Sequence, residues 1–319
     1  MKARYLSFFS YIGTGFRSSE KIWLKEKRNY PDPESVQGVF ELALLKLRSH
    51  NYPNLLLSSR TDGGVHALNA TAHFDLETSE SNIYNPADIT FRVNKYFFKN
   101  EICVSVKNTI RVNDDFNARF NAKSRTYLYR LAILKNNFPR PAENLSIASY
   151  IPLEEWKRCH FLRIENFDID RFREGAQEFL GIHDFTTFKK FDKETQTKHN
   201  RRSIHSIEIT PGRPQVSSFT EQQGSYFDYY DIKIHGRAFV HNQIRRMLGA
   251  LVGAAAGKIS TQDIRLMLQI PSKNSWLSHL HSQPAYGLYL CDVEYDPQEL
   301  IYDPERKIST RFVVEDESD

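Results

Sequence analysis

Apolar and polar residues alternate with two different periods along the first 110 residues. A period of two residues predicts strands, and a period of three to four residues predicts amphipathic helices. The strands are predicted at 3–11, 55–59, 70–74 and 102–106, and the helices at 34–47 and 86–100. This order of elements predicts a small α+β sandwich of the split β-α-β kind.

A second series of strands and helices follows. The strands are predicted at 123–131, 204–209, 229–234 and 286–293, and the helices at 169–180, 241–257 and, for a shorter one, after Thr261. A loop rich in Pro and Asn separates the strand at 123–131 from the later elements. We therefore predict an N-terminal α+β half over residues 1–113, a C-terminal α+β half over 114–300 and a charged, solvated tail over 301–319.

Composition narrows the class of protein. The chain has 319 residues, of which 40% are hydrophobic, so a sizeable core is expected. A formal net charge of +4 favours a polyanionic partner without establishing one. The three cysteines are far apart and in no C-x-x-C spacing, which argues against a disulfide framework or a zinc site and fits a reducing compartment.

The distribution of apolar residues excludes a membrane span, because no apolar run approaches the roughly 20 residues that one requires. The N-terminus runs into a strand pattern without the apolar segment and cleavage site of a secretion signal. A short amphipathic import signal stays open, since Lys2 and Arg4 precede apolar residues and no acid occurs before Glu20.

The run Arg60–Ala67, R-T-D-G-G-V-H-A, carries the candidate chemistry. It lies between two predicted strands and puts one carboxylate, Asp62, in a glycine turn two residues after Arg60. A carboxylate in such a turn is presented to solvent or substrate. The alternative is an ordinary type I′ or II′ turn in which Asp-Gly-Gly only supplies residues with positive φ.

Basic and aromatic residues interleave in the segment 117–130. A period of two puts Lys123, Arg125, Tyr127 and Tyr129 on one face of the predicted strand. Guanidinium groups bind phosphates and aromatic rings stack on unpaired bases, so this face suits a single-stranded or flipped-out nucleotide. The alternative is an edge strand with solvated charges over a tyrosine-containing core.

In the helix at 241–257, Arg245 shares a face with Gly249 and Gly253, so another backbone can approach closely there. If that neighbour is the hairpin with Asp62, Arg245 and the positive N-terminus of the helix would keep the carboxylate ionised. The alternative is a packing helix with surface arginines.

Three weaker signals predict no site. Gly253–Ser260 lacks the spacing of a phosphate-binding loop, and His279–His281 has no further metal ligand at a matching interval. His183–Asp184 has no nucleophile placed beside it, so we interpret it as a turn with capping side chains.

Together these motifs resemble the tRNA pseudouridine synthase A family, in particular its eukaryotic pseudouridine-synthase-like branch. The similarity runs in order through most of the chain. The matching segments are Ser35–Gln37, Ser58–Ala67, His73–Phe74, Phe116–Arg130, Phe179–Phe188, Phe239–Gly249 and Pro284–Leu290.

The resemblance implies an α+β pseudouridine synthase fold, with two ferredoxin-like or RRM-like halves around a central, mostly antiparallel sheet and an active-site cleft. It implies that Asp62 is the catalytic aspartate, that Tyr127 stacks on the target base and that Arg245 pairs with Asp62. Arg60 would hold the flipped nucleotide. No cofactor and no metal would be needed. Backbone phosphates would be bound by Lys123, Arg125, Arg202 and Arg246.

The chain departs from the family pattern in two places. Residues 11–16 lack the usual aspartate after Tyr11 and the following Trp-Gln, which weakens any inference about RNA contacts from that loop. Gly63 stands where the family commonly has alanine, and we expect that change to be tolerated in a turn that needs little bulk.

The expected activity is therefore isomerisation of uridine to pseudouridine in RNA, with tRNA as the expected partner. A homodimer and a mitochondrial location follow from the resemblance alone, with cytoplasm or nucleus as the alternative location. The competing hypothesis is a catalytically inactive RNA-binding protein or RNA chaperone on the same fold. A glycoside hydrolase would need a second positioned carboxylate, which is not evident.

Overall fold

The structure is a computed structural model that describes residues 1–21, 31–79, 82–136, 146–190 and 199–305. It divides into two compact units, one formed by Met1–Arg125 with Tyr289–Asp319 and the other by Thr126–Leu288. The units differ from the predicted halves because residues 114–125 and 289–300 belong to the first unit. Most of the predicted tail, residues 306–319, lies outside the described residues.

The sheet of the first unit is built around two long strands. β1 (Lys2–Tyr11) pairs antiparallel with β3 (His66–Glu77) and with β4 (Val104–Val112). The short β2 (Leu56–Leu57) also pairs antiparallel with β3, whereas β10 (Leu288–Glu294) pairs parallel with it. The strand order in this unit is therefore β4-β1-β3-β10, with most pairs antiparallel.

Two capped α-helices accompany this sheet in the described part of the first unit. α1 (Val36–Leu45) begins after Ser35, whose side chain accepts a hydrogen bond from the Gly38 N–H. α2 (Pro86–Lys99) begins after Asn85, whose side chain accepts from the Ala87 N–H. These side chains satisfy N–H groups that have no partner inside the helix. The predicted helix starts are confirmed.

Aromatic rings join these helices to the sheet. The Phe40 ring of α1 lies 5.1 Å from Phe9 of β1, 5.6 Å from Phe97 of α2 and 6.2 Å from Phe74 of β3, between centroids. All four side chains are at most 1% exposed. Burial of such rings removes a large apolar area from water, so this cluster is the core of the first unit.

The described residues of the second unit form five strands: β5 (Ser124–Leu134), β6 (His160–Leu162), β7 (Gly181–Asp184), β8 (Arg201–Pro211) and β9 (Phe227–Gly236). β8 pairs antiparallel with β7 and β9, and β6 pairs parallel with β5. The order is β5-β9-β8-β7.

Four α-helices lie in the part of this unit that the structure describes. They are α3 (Ile169–Gln177), the single-turn α4 (Glu221–Gly224), α5 (Gln243–Ala255) and α6 (Thr261–Gln269). Each unit thus combines helices with a mostly antiparallel sheet, and the α+β prediction is confirmed. Among the described residues, no helix combines the length and the apolar character that crossing a bilayer requires.

Candidate functional site

Ser19 fixes the backbone of the residue before Asp62. The Ser19 hydroxyl accepts a hydrogen bond from the Thr61 N–H at 2.7 Å, and the Ser19 N–H donates to the Thr61 carbonyl at 3.2 Å. The Thr61 hydroxyl is 2.8 Å from the Tyr11 hydroxyl. Asp62 itself forms a bridge with Ser18 and is half-buried. These bonds fix the backbone on the N-terminal side of the carboxylate-bearing residue.

Glycines allow two backbone segments to cross at this turn. The Val65 N–H donates to the Asp62 carbonyl at 3.1 Å, and Gly64 adopts φ 84°, a conformation that favours glycine. A Cβ built on Gly63 would lie 2.3 Å from the carbonyl oxygen of Arg17. Glycine at position 63, where the family commonly has alanine, therefore has a local reason. In this chain the backbone at Arg17 occupies the space that an alanine methyl group would need.

A buried ion pair supports the same loop from α1. Lys21 Nζ lies 2.7 Å from Glu41 Oε2, and the two side chains are 3% and 0% exposed. The Tyr52 hydroxyl donates to Glu41 at 2.9 Å, and the pKa of Tyr52 is raised by burial and by this carboxylate. Gln37 Nε2 donates to Glu41 at 3.2 Å and to the Leu55 carbonyl at 2.8 Å. This network ties α1 to the segments that lead into the Asp62 turn.

Sequence reasoning missed this network. A signal for it existed, because Gln37 and Glu41 are one helical turn apart on a helix whose neighbouring positions are apolar. A carboxylate on such a face requires a buried cation or several hydrogen bonds. Its partner Lys21 lies 20 residues earlier, outside any regular pattern.

The arginines near the turn have different surroundings. Arg60 is 66% exposed, and its Nε lies 2.5 Å from Glu20 Oε2. Arg125 is only 9% exposed. Its Nε donates to the Ser59 hydroxyl at 3.2 Å, and its Nη2 donates to the carbonyls of Ser58 at 3.1 Å and Arg119 at 3.0 Å. This geometry favours a positioning role for Arg125 over contact with an RNA phosphate.

Tyr127 and Tyr129 lie on β5 in the second unit. Tyr127 is 7% exposed, and its ring meets Phe239 edge-on at 5.2 Å between centroids. The Tyr129 hydroxyl donates to the Pro284 carbonyl at 3.0 Å, and burial raises the pKa of Tyr129 well above its usual range. A Cβ on Gly287 would lie 2.6 Å from the Tyr129 ring, so the Pro-Ala-Tyr-Gly segment packs directly on it.

Arg245 is held at the start of α5. Its Nε donates to the Gln283 carbonyl and its Nη1 to Asn242 Oδ1, both at 2.7 Å. Asn242 precedes the helix with φ 64°, in the left-handed region. The predicted close approach at Gly249 is confirmed, but the approaching backbone is that of His281, whose carbonyl oxygen would lie 2.2 Å from an added Cβ. The pairing of Arg245 with Asp62 therefore rests on the resemblance.

Arg202 and Arg246 are bound to protein carbonyls. Arg246 Nη1 donates to Thr187 at 2.9 Å and Lys189 at 2.5 Å, and its guanidinium lies 4.3 Å from the centre of the Trp276 ring. Arg202 Nη1 donates to His199 at 3.1 Å and Arg201 at 2.7 Å. Burial lowers the pKa of both arginines. By contrast, Lys123 is exposed.

The motifs that predicted no site have ordinary structural roles. His183 and Asp184 end strand β7, so the prediction of a turn at these two residues is wrong. Asp184 Oδ1 accepts hydrogen bonds from the Thr186 N–H at 2.9 Å and from its hydroxyl at 2.6 Å, which confirms the capping role of this side chain. His279 and His281 are exposed. Within the described part of the chain, no group of three or more His, Cys, Asp and Glu residues could hold a metal ion.

Two buried histidines make the stability of the protein depend on pH. Burial lowers the pKa of His73 and of His160 from 6.5 to about 4, and His73 Nδ1 accepts the Ala118 N–H at 3.1 Å. The unfolded chain takes up both protons below pH 6.5, whereas the folded protein does so only near pH 4. The free energy of unfolding should therefore decrease as the pH falls through this window, by at most roughly 3 kcal/mol per histidine.

Urea unfolding at pH 7, 5.5 and 4.5 measures this effect. Asn Oδ1 can replace the accepting Nδ1 without titrating, so His73→Asn should reduce the loss between pH 6.5 and 4. An unchanged pH dependence in that variant would contradict the assignment to His73.

Known proteins resemble this chain over nearly its whole length. The sequence profile of the family described as tRNA pseudouridine synthase matches residues 176–296. A tRNA pseudouridine synthase-like 1 from Xenopus laevis is 32% identical over 302 residues, 94% of this chain and 93% of that protein. The human protein of that name is 29% identical over 92% of this chain and 91% of its own length. A tRNA pseudouridine synthase A from Brucella ovis is 27% identical, with coverages of 92% and 98%.

These similarities define the class as isomerases that act on RNA. The chain belongs to the tRNA pseudouridine synthase family.

Proposed function

We propose that this protein isomerises uridine to pseudouridine in tRNA and that Asp62 is its catalytic carboxylate. The supporting observation is the turn around Asp62, in which Ser19 binds both backbone groups of Thr61. Two direct hydrogen bonds to the backbone of the preceding residue help to hold a carboxylate-bearing residue in one place, as catalysis by a positioned group requires. The turn lies in the segment Ser58–Ala67 that carries the family resemblance.

The reaction breaks the C1′–N1 bond, rotates the uracil and forms a C1′–C5 bond. The hydrogen on C5 leaves to solvent and N1 takes up a proton, so atoms and charge balance without a redox step. Asp62 must be ionised, whether it attacks the sugar or the base or takes a proton from C2′. We assign Arg245 to pairing with this carboxylate and Tyr127 to stacking on the detached ring, as the resemblance implies.

The uridine must leave its stack before the bond can be reached. Arg60 and Lys123 are exposed and suit contact with the flipped nucleotide and with backbone phosphates. Arg125 would act by holding Ser58 and Ser59 in place before Arg60. Phosphate contacts by Arg202 and Arg246 remain predictions, since both guanidinium groups donate to protein carbonyls.

Three finer assignments also rest on the resemblance. We propose two RRM-like halves with an active-site cleft, a homodimer and a mitochondrial location. The competing function is that of an RNA-binding protein without turnover. It gives no role to a carboxylate held in a hydrogen-bonded turn, since a carboxylate repels phosphates.

Purified full-length protein incubated with tRNA transcripts that carry tritium on uridine C5 tests the function. We expect tritium to be released and pseudouridine to be mapped at defined positions. The reason is that uracil C5 loses its hydrogen when it forms the bond to C1′. Tight RNA binding without any release would favour the RNA-binding alternative.

A further inference from the structure

A rigid turn at residues 117–121 precedes β5. Asn117 Oδ1 accepts the N–H groups of Arg119 at 2.9 Å and Phe120 at 3.3 Å, and Asn121 Oδ1 accepts the Asn117 N–H at 2.8 Å. The Asn121 N–H donates to the Asn117 carbonyl at 3.0 Å. Asparagine side chains that bond the backbone two or three residues away fix a turn without secondary structure around it.

Buried side chains anchor this turn to the sheet. The Ala118 N–H donates to His73 Nδ1 at 3.1 Å, and the Tyr295 hydroxyl donates to the Ala118 carbonyl at 2.7 Å. The Tyr295 hydroxyl also lies 2.6 Å from the Thr71 hydroxyl. His73 and Thr71 belong to β3, so the turn is attached to the centre of the first unit.

The tip of the turn is apolar and cationic. Phe120 is 58% exposed although its own N–H and the residues on both sides of it are hydrogen-bonded within the turn. The Arg119 guanidinium lies 5.7 Å from the centre of the Phe120 ring, and both Arg119 and Lys123 are exposed. Two acids, Asp114 and Asp115, precede the turn. The pKa of Arg4 is raised mainly by its hydrogen bond to Asp75, and the negative charges of these two acids help to raise it.

Arg125 connects this tip to the catalytic loop. Its Nη2 donates to the Arg119 carbonyl at 3.0 Å and to the Ser58 carbonyl at 3.1 Å, and its Nη1 donates to the Ala122 carbonyl at 3.3 Å. From Ser58 the chain needs only four residues to reach Asp62, at most about 14 Å when extended. The exposed ring therefore lies within a few nucleotides' reach of the proposed catalytic carboxylate.

We propose that Phe120 is a stacking platform for an unpaired base beside the target uridine, and that Arg119 and Lys123 hold the adjoining phosphates. The proposal rests on the proposed function for its RNA partner. An exposed aromatic ring flanked by cations on a prebuilt turn suits single-stranded RNA, because every base has a face that stacks and every nucleotide carries a phosphate. A protein partner would not require two cations beside the ring.

The test measures binding and turnover separately, using full-length protein and a tRNA transcript. Phe120→Ala should weaken binding by roughly 5- to 150-fold, as loss of one stacked base does elsewhere, while Phe120→Trp keeps it. KM in the tritium assay should rise with the dissociation constant, whereas kcat at saturating RNA should change little. The salt dependence of binding should stay the same in Phe120→Ala and weaken in Lys123→Gln, since only the lysine releases counterions.

Phe98→Ala is the matched control, because Phe98 is 89% exposed on α2 of the same unit. Wild-type binding in Phe120→Ala, or an equal loss in Phe98→Ala, would overturn the platform. Both aromatic side chains are exposed, so their removal should leave the urea midpoint unchanged and folding should not obscure the result. A failure of the proposed function gives a different result, because the wild-type protein would then release no tritium. The binding measurements would still show whether Phe120 contacts RNA.

Discussion

Replacing Asp62 by asparagine should reduce pseudouridine formation by about 10⁴-fold or more. The substitution keeps the size of the side chain and removes the charge that every version of the mechanism requires. The turn should persist, because the hydrogen bonds that Thr61 makes with Ser19 and that Val65 makes with the Asp62 carbonyl do not involve the replaced carboxylate. Tritium release under single-turnover conditions, with enzyme in excess over tRNA, measures the loss in the chemical step.

RNA binding by Asp62→Asn should be close to that of wild type, since a carboxylate contributes nothing favourable to phosphate contacts. Asp88→Asn provides the control, because Asp88 is an exposed acid in the first turn of α2 and should leave turnover unchanged. Turnover by Asp62→Asn near the wild-type rate would remove Asp62 from the mechanism. A loss of RNA binding together with activity would indicate a structural role for the carboxylate.

Glu155→Gln should lower the free energy of unfolding by about 3–5 kcal/mol, the largest stability effect that we expect. Glu155 is completely buried, and its oxygens lie 2.6 and 2.7 Å from Nη1 and Nη2 of Arg130. Glu155 also accepts the Gln215 N–H at 2.6 Å. An amide would remove the charge closest to the buried guanidinium and leave only the more distant Asp231, 4.0 Å from Arg130 Nε, so the poorly compensated cation causes most of the loss.

Urea unfolding followed by tryptophan fluorescence measures this change, because Trp156 and Trp276 both lie in the second unit. Glu154→Gln alters the neighbouring but exposed acid and should shift the midpoint little. The double variant Arg130→Met with Glu155→Leu should recover much of the stability, since it removes both fully buried charges and leaves only the more exposed Asp231, 4.0 Å from Arg130 Nε, without this cation. Equal midpoints for Glu155→Gln and Glu154→Gln would show that the buried pair contributes little.

Local rules predicted the longer elements, missed the short β6, β7 and α4, and misplaced several strand ends. The N-cap residues Ser35 and Asn85 precede helices that start as expected, because capping depends on a few adjacent residues. β3 begins at His66, four residues before the predicted start, and β4 continues to Val112. A strand extends for as long as its neighbour offers hydrogen bonds, and both of these strands pair with the ten-residue β1.

Side-chain roles were harder to predict than elements. Arg125 was expected to face phosphates because a period of two puts it beside Lys123 on a strand face. In the structure its guanidinium donates to carbonyls of residues that are 6 and 67 positions away. Periodicity predicts the strand face from which a side chain projects. The hydrogen-bond partner of a long arginine side chain depends instead on which distant backbone lies within its reach.

The sequence alone determined the α+β class, the order of the longer elements and the family, since these depend on local periodicity and on motifs that keep their order along the chain. It also marked Asp62 as the candidate carboxylate, because a glycine turn between two strands is a local signal. Tertiary folding decided what holds that carboxylate in place. Ser19, Lys21 and Glu41 meet near the Asp62 turn only after segments far apart in sequence have packed, because hydrogen bonds and buried ion pairs join atoms by distance in space and leave no periodic trace in the chain.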